Sequence, residues 1–298
     1  MLPVDLGQYM ALCFDLASVS LERLRGKHMA RKAKTPEVED TLQGKSNFPD
    51  VRAVRFSDLR KILALGWADF RRAPLFGMFF GATYAVGGIV LVTSVIYFDM
   101  VWLIYPLIIG FALIGPFIAT GLYETSRRLE NHQTLTWGGI LAAVWRQHRR
   151  ELGWMAFVML FIFWVWMYQV RTLVAVFFGF GGFATLQGFV EAVFTTPNGL
   201  TFLFVGHIVG AIISMVLFTL TVVSCPLLLE REVDIVTAII TSIRAVAASP
   251  LVMLCWGVFV VLAVILSALP GFVGLLIVLP VLGHATWHLY KIAVVPAT

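Results

Sequence analysis

Six stretches of this chain run for about 20 residues with almost no charge: residues 75–98, 100–123, 152–170, 200–229, 251–269 and 272–290. About 20 apolar residues in a helix cross a hydrocarbon core of ~30 Å. Inside lipid every backbone polar group must be satisfied within the segment, so such runs fold as helices. A soluble core does not explain them. The chain is 59% hydrophobic and only 13% charged, whereas soluble domains carry about 25% charged residues. The expected fold class is therefore all-α: a polytopic membrane protein with six transmembrane helices.

Orientation follows from the basic residues. Of the 22 Lys and Arg, only Arg171 lies beyond the far ends of the predicted spans. The other 21 fall before the first span, between spans two and three, between four and five, or after six. Basic flanks stay in the cytoplasm, so both termini are expected inside, in the inner membrane of a bacterium. This bias also explains the net charge of +5. Anionic lipid headgroups account for it at about 1 kcal/mol per basic residue, and no nucleic-acid partner is implied.

Three cytoplasmic segments resemble one another. Residues 57–72, 136–150 and 234–249 each stand before an odd-numbered span and each open on a helix-capping residue type, Ser57, Thr136 or Asp234. In the first, Leu59, Ile62, Leu63, Leu65 and Phe70 form the apolar set, and Arg60, Lys61, Asp69 and Arg71 the polar one. The expected unit is a cytoplasmic amphipathic interfacial helix followed by a two-span hairpin, repeated three times. Pro74 and Pro250 mark the bends into the membrane, and Pro116, Pro226 and Pro280 interrupt the even spans. Gly77 and Gly81 suggest tight packing within the first hairpin. On the outer side, residues 183–193 read as a short amphipathic helix closed by a turn at 195–199, interfacial or re-entrant.

Residues 1–53 form a polar cytoplasmic extension, largely disordered or a surface helix, and Met29 offers a second start; residues 54–298 form the membrane domain. Cys13, Cys225 and Cys255 show no paired spacing and read as small packing residues.

Polar groups at membrane depth are the candidate functional residues. His207 lies ~10 Å inside the outer end of span four at 1.5 Å per residue. His284 and His288 share one face of span six. The two depths do not suit one iron, so hydrogen bonding between helices, with His288 reaching the headgroups, is expected in place of haem or metal ligation. Glu124, Arg127, Arg128, Glu130 and Glu230-Arg231-Glu232 gather at the inner edge, as solvated helix ends, as pairs across repeats, or as phosphate ligands. Trp154, Trp164, Trp166 and Tyr168 read as aromatic belts. The sequence carries no Walker loop, dinucleotide fingerprint, HExxH or GxSxG. No catalytic residue, cofactor or metal is expected.

The runs Arg72-Ala73-Pro74-Leu75-Phe76-Gly77, Gly115-Pro116-Phe117, Gly121-Leu122-Tyr123-Glu124, Pro226-Leu227-Leu228-Leu229-Glu230-Arg231 and Gly283-His284-Ala285-Thr286-Trp287-His288-Leu289-Tyr290-Lys291 resemble a proteobacterial family of predicted integral membrane proteins that carries only a domain-of-unknown-function label. The resemblance covers residues 51–292. It implies six spans and no assigned activity. The functional expectation is a non-catalytic accessory or assembly component of a membrane complex, with a transporter or channel for a small solute or lipid as the alternative. Membrane lipids and other membrane-protein subunits are the expected partners.

Overall fold

The computed structural model describes residues 48–97, 118–148, 151–181, 183 and 186–295. Its elements are helices: α1 (Phe56–Arg72), α2 (Pro74–Ile96), α3 (residues 118–130), α4 (Trp137–His148), α5 (Glu151–Phe178), α6 (Leu186–Thr195), α7 (Pro197–Thr221), α8 (Ser224–Glu230), α9 (Ile235–Ala248), α10 (Pro250–Ala268) and α11 (Leu275–Ala293). Five stretches are long and apolar enough to cross a membrane: Pro74–Ser94, Glu151–Phe178, Pro197–Glu230, Pro250–Ala268 and Leu275–Ala293. Most of the predicted second span, with Asp99 and Pro116, lies outside the described residues, as do residues 1–47 of the N-terminal extension.

Local chemistry sets the helix starts. Thr136 accepts from Gly139 N at 3.2 Å and Asp234 from Thr237 N at 2.9 Å, as their residue types predict. Ser57 does not cap α1. Arg55 holds that position, and Asp58 one turn later accepts its N–H at 2.9 Å. Thr196 caps α7, accepting from Gly199 N at 3.0 Å, and Pro197 follows in the first turn. The bends α1–α2 and α9–α10 share one backbone form. Ala73 has φ −136° and ψ 53°, Ser249 has φ −150° and ψ 62°, and each precedes a proline.

The chain closes on itself. Arg52 N donates to Ala293 O at 2.8 Å and Val295 N to Asp50 O at 2.9 Å, pairing Val51 with Val294. This puts the entry to α1 beside the exit from α11. We call this the near end, and the opposite end, with residues 269–274, the far end. The face of Gly77 and Gly81 packs against α11: a Cβ at Gly81 would lie 2.8 Å from Leu275 O, and one at Gly77 3.0 Å from Pro280. Small residues let backbones approach wherever the fold needs it, so the motif marks a close contact without naming its partner.

Burial is concentrated at the near end. In α5 the buried residues are Leu152, Met155 and Ala156, all in its first two turns. In α10 they are Val252, Met253 and Trp256, then only Ser267. Leu152, Met155, Val252, Met253 and Trp256 pack with Tyr123, Leu227, Leu228, Trp287 and Tyr290 into one core.

The α7–α8 span breaks at Val222-Val223, one turn before Pro226. Proline removes a donor and crowds the preceding turn. Ser242 of α9 enters the break, accepting from Val223 N at 3.2 Å and donating to Thr219 O at 2.7 Å. A hydroxyl thus replaces one rung of the helix ladder.

Candidate functional site

The near-end core carries a polar cluster built by α1, α3, α8 and α11. Glu124 of α3 is fully buried. Its carboxylate accepts from Arg127 Nε at 2.7 Å and Nη2 at 3.1 Å, and from Arg128 Nε at 2.7 Å. A bidentate guanidinium is the arrangement that compensates an enclosed carboxylate. Arg128 also donates to Thr134 O at 3.2 Å, tying down the loop before α4. Glu124 therefore pairs within its own helix.

Glu230 does cross between spans. It accepts from the Tyr290 hydroxyl and from Lys291 Nζ, the latter at 2.6 Å. Lys291 also lies 3.7 Å from Glu130, which accepts from Trp287 Nε1 at 3.1 Å. Arg231 donates to Val295 O at 2.7 Å. Glu230 and Arg231 thereby lock the end of α8 to the end of α11.

The two histidines of α11 engage different helices. His288 Nε2 lies 2.8 Å from Asp69 Oδ2 of α1. Asp69 sits on the buried face of α1 beside Phe70, not on its polar face. Burial pushes its carboxyl upward, but the hydrogen bond and charge of His288, with the Ser126 hydroxyl, hold it below its ordinary value. His284 is completely buried, and its Nδ1 lies 2.8 Å from Ser126 Oγ. A carboxylate only accepts. If the Ser126 hydroxyl donates to Asp69, then His284 Nδ1–H donates to Ser126, and Nε2 is left as a lone pair. That Nε2 has no hydrogen-bond partner among the described residues. The interhelical hydrogen bonding expected of His284 is present; its partner Ser126 gave no periodic signal in the sequence. Among the described residues no group of three or more His, Cys, Asp or Glu is placed to hold a metal.

His207 belongs to a separate site and is exposed, not enclosed. It lines a cavity of about 640 Å³ between α5, α7 and α10. The walls include Trp166, Leu173, Phe202, Phe218, Leu254 and Val258, with Gln169 and Ser214 as the other polar side chains. Gly206, Gly210 and Gly257 line it as well. His207 Nδ1 lies 2.7 Å from Leu203 O, one turn earlier on its own helix. Trp166, expected in an aromatic belt, instead turns inward and packs against Gly210.

With both sites in place, the comparison with known proteins can be stated. Residues 104–230 match the model of a family described as "Predicted integral membrane protein (DUF2189)". This chain is similar to that family over those residues. The match takes in Glu124, α5, His207 and Glu230, and it is narrower than the 51–292 resemblance read from motifs. His284, His288 and Asp69 lie outside it. No curated protein and no solved structure matches the chain.

Proposed function

We propose that this chain is a non-catalytic component of a bacterial inner membrane, with both termini cytoplasmic, that joins a larger membrane assembly through α5. One observation carries this reading. Trp154, Phe157, Phe161, Trp164 and Tyr168 are each more than half exposed. Their spacing of three, four, three and four residues is that of a helix–helix seam. The stripe covers 14 steps, or ~21 Å at 1.5 Å per residue. Anchoring aromatics sit at the two interfaces, whereas this stripe runs through the depth between them. Neighbouring rings already touch, with Trp164 and Tyr168 centroids 4.5 Å apart.

The partner is a span of a different protein. Arg171 continues the stripe three residues beyond Tyr168 and is exposed. Two copies of this chain related by an axis normal to the membrane would meet with like residues at like depths. That would set Arg171 against Arg171, which is repulsive. A partner helix with an acidic group at that height fits instead.

The orientation rests on the one-sided basic residues, and the pairing of Val51 with Val294 supports an even number of crossings. The apolar run at 100–123 supplies the sixth. Single cysteines at Arg231 and Arg171 should label from opposite faces of sealed vesicles; labelling from one face would refute the topology. A photo-crosslinking phenylalanine analogue at Phe161 should give a discrete adduct with another chain in native membranes, and one at Leu266 of α10 should not. Adducts only with lipid, or with a second copy of this chain, would overturn the assembly reading.

The cavity beside His207 favours a second reading, a transporter or channel for a small solute or lipid. Flux through reconstituted vesicles that falls in the cavity-filling Gly206→Leu would support it, and absence of flux for every solute and lipid tried would not.

A further inference from the structure

We propose that the cavity between α5, α7 and α10 binds a hydroxyl-bearing lipophilic molecule, a membrane alcohol or phenol, whose O–H donates to His207 Nε2. Neither the assembly role nor transport is assumed.

The hydrogen bond of His207 fixes what its other nitrogen offers. The Leu203 carbonyl can only accept, so Nδ1 carries the proton and donates at 2.7 Å. In the neutral ring Nε2 is then an acceptor. His207 itself borders a cavity of about 640 Å³, within the roughly 300–1,000 Å³ of small-molecule sites. A file of water does not suit it. Each enclosed water needs 2–4 polar partners, and the lining is chiefly Leu, Val, Phe and Trp, with Gln169, His207 and Ser214 the few polar side chains. An ionic headgroup does not suit it either, because an unpaired charge at apolar depth is strongly disfavoured and no charged side chain among the described residues lines the cavity. Hydrocarbon with one hydrogen-bond donor satisfies both the walls and the lone pair. Gly206 supports the room: a Cβ there meets nothing within 4 Å.

The test uses the full chain in phosphatidylcholine nanodiscs with two probes, a diazirine-bearing hexadecanol and its methyl ether. The ether keeps the chain and loses the donor. Labelling mapped by mass spectrometry should concentrate on cavity residues of α5, α7 and α10. The alcohol should exceed the ether there by about five- to tenfold, the worth of one hydrogen bond. His207→Phe keeps a ring and removes the acceptor, so it should abolish that preference. Gly206→Leu fills open space and should abolish labelling by both probes. Neither variant should lower the parent's denaturation midpoint, since the His207 hydrogen bond to Leu203 O lies within its own helix and a Cβ at Gly206 meets nothing within 4 Å. Equal labelling by the two probes, a preference that survives His207→Phe, or labels spread evenly over all lipid-facing spans would each overturn the proposal.

Discussion

The Ser242 hydroxyl of α9 donates to the Thr219 carbonyl of α7 at 2.7 Å while accepting the Val223 N–H at 3.2 Å. Thr219 and Val223 are four apart, so an unbroken helix would join them directly. Pro226 opens the turn beyond them, and a side chain from the next helix takes up both groups. The same residue that repairs the break therefore joins α9 to α7.

It follows that Ser242→Ala should cost about 1–3 kcal/mol, because a donor and an acceptor are left buried and unpaired. The midpoint of unfolding in mixed micelles checks this. Ser242→Cys, which keeps a weak donor and acceptor, should fall between the two.

Two glycines should respond oppositely to one methyl group. At Gly66 of α1 a Cβ would come within 2.7 Å of Ala285 N and 2.8 Å of Val281 O. Both are backbone atoms of α11 and cannot rotate away. Gly66→Ala should destabilise by about 1–3 kcal/mol, the range for overpacking. At Gly206 there is open space. Gly206→Ala should be neutral or stabilising by about 0.5–1 kcal/mol through the lost flexibility of glycine. Thermal unfolding of the two variants side by side decides it.

What the sequence made legible, and what it did not, divides along the range of the interaction. Apolar runs and caps are local, so the spans at 75–98, 152–170, 200–229, 251–269 and 272–290 and the caps at Thr136 and Asp234 could be read directly. Ser57 misled because two acceptors stand side by side, and Asp58, not Ser57, is the one that reaches the Arg55 N–H. Asp69 was placed on a polar face because composition cannot reveal a histidine 219 residues away, 2.8 Å from its carboxylate. The closing of α11 onto α1 and α2 was equally hidden, since a glycine face admits any close neighbour. The depth of Trp166 was read as a belt because tryptophan type alone does not say which side of a helix it occupies. The α5 stripe could have been found by counting its intervals of three and four.

The Asp69–His288 contact gives the last prediction its sign. Burial pushes the Asp69 carboxyl upward, and His288 and the Ser126 hydroxyl pull it down by more, so its folded value lies below the ordinary 3.8. A carboxyl of this kind binds its proton more readily unfolded than folded. Its stabilising effect is therefore complete above about pH 4 and is lost as the pH falls through the lower folded value. Asp69→Asn removes that titration while keeping the shape. The variant should be less stable than the parent at neutral pH by about 1 kcal/mol, the difference between a charged and a neutral hydrogen bond. As the pH falls below about 4 the gap should close, because the parent loses what the variant never had. The other carboxyls are common to both proteins, so the difference between the two unfolding curves isolates Asp69. A gap that stays constant through that acid window would show that Asp69 does not engage His288 as a carboxylate.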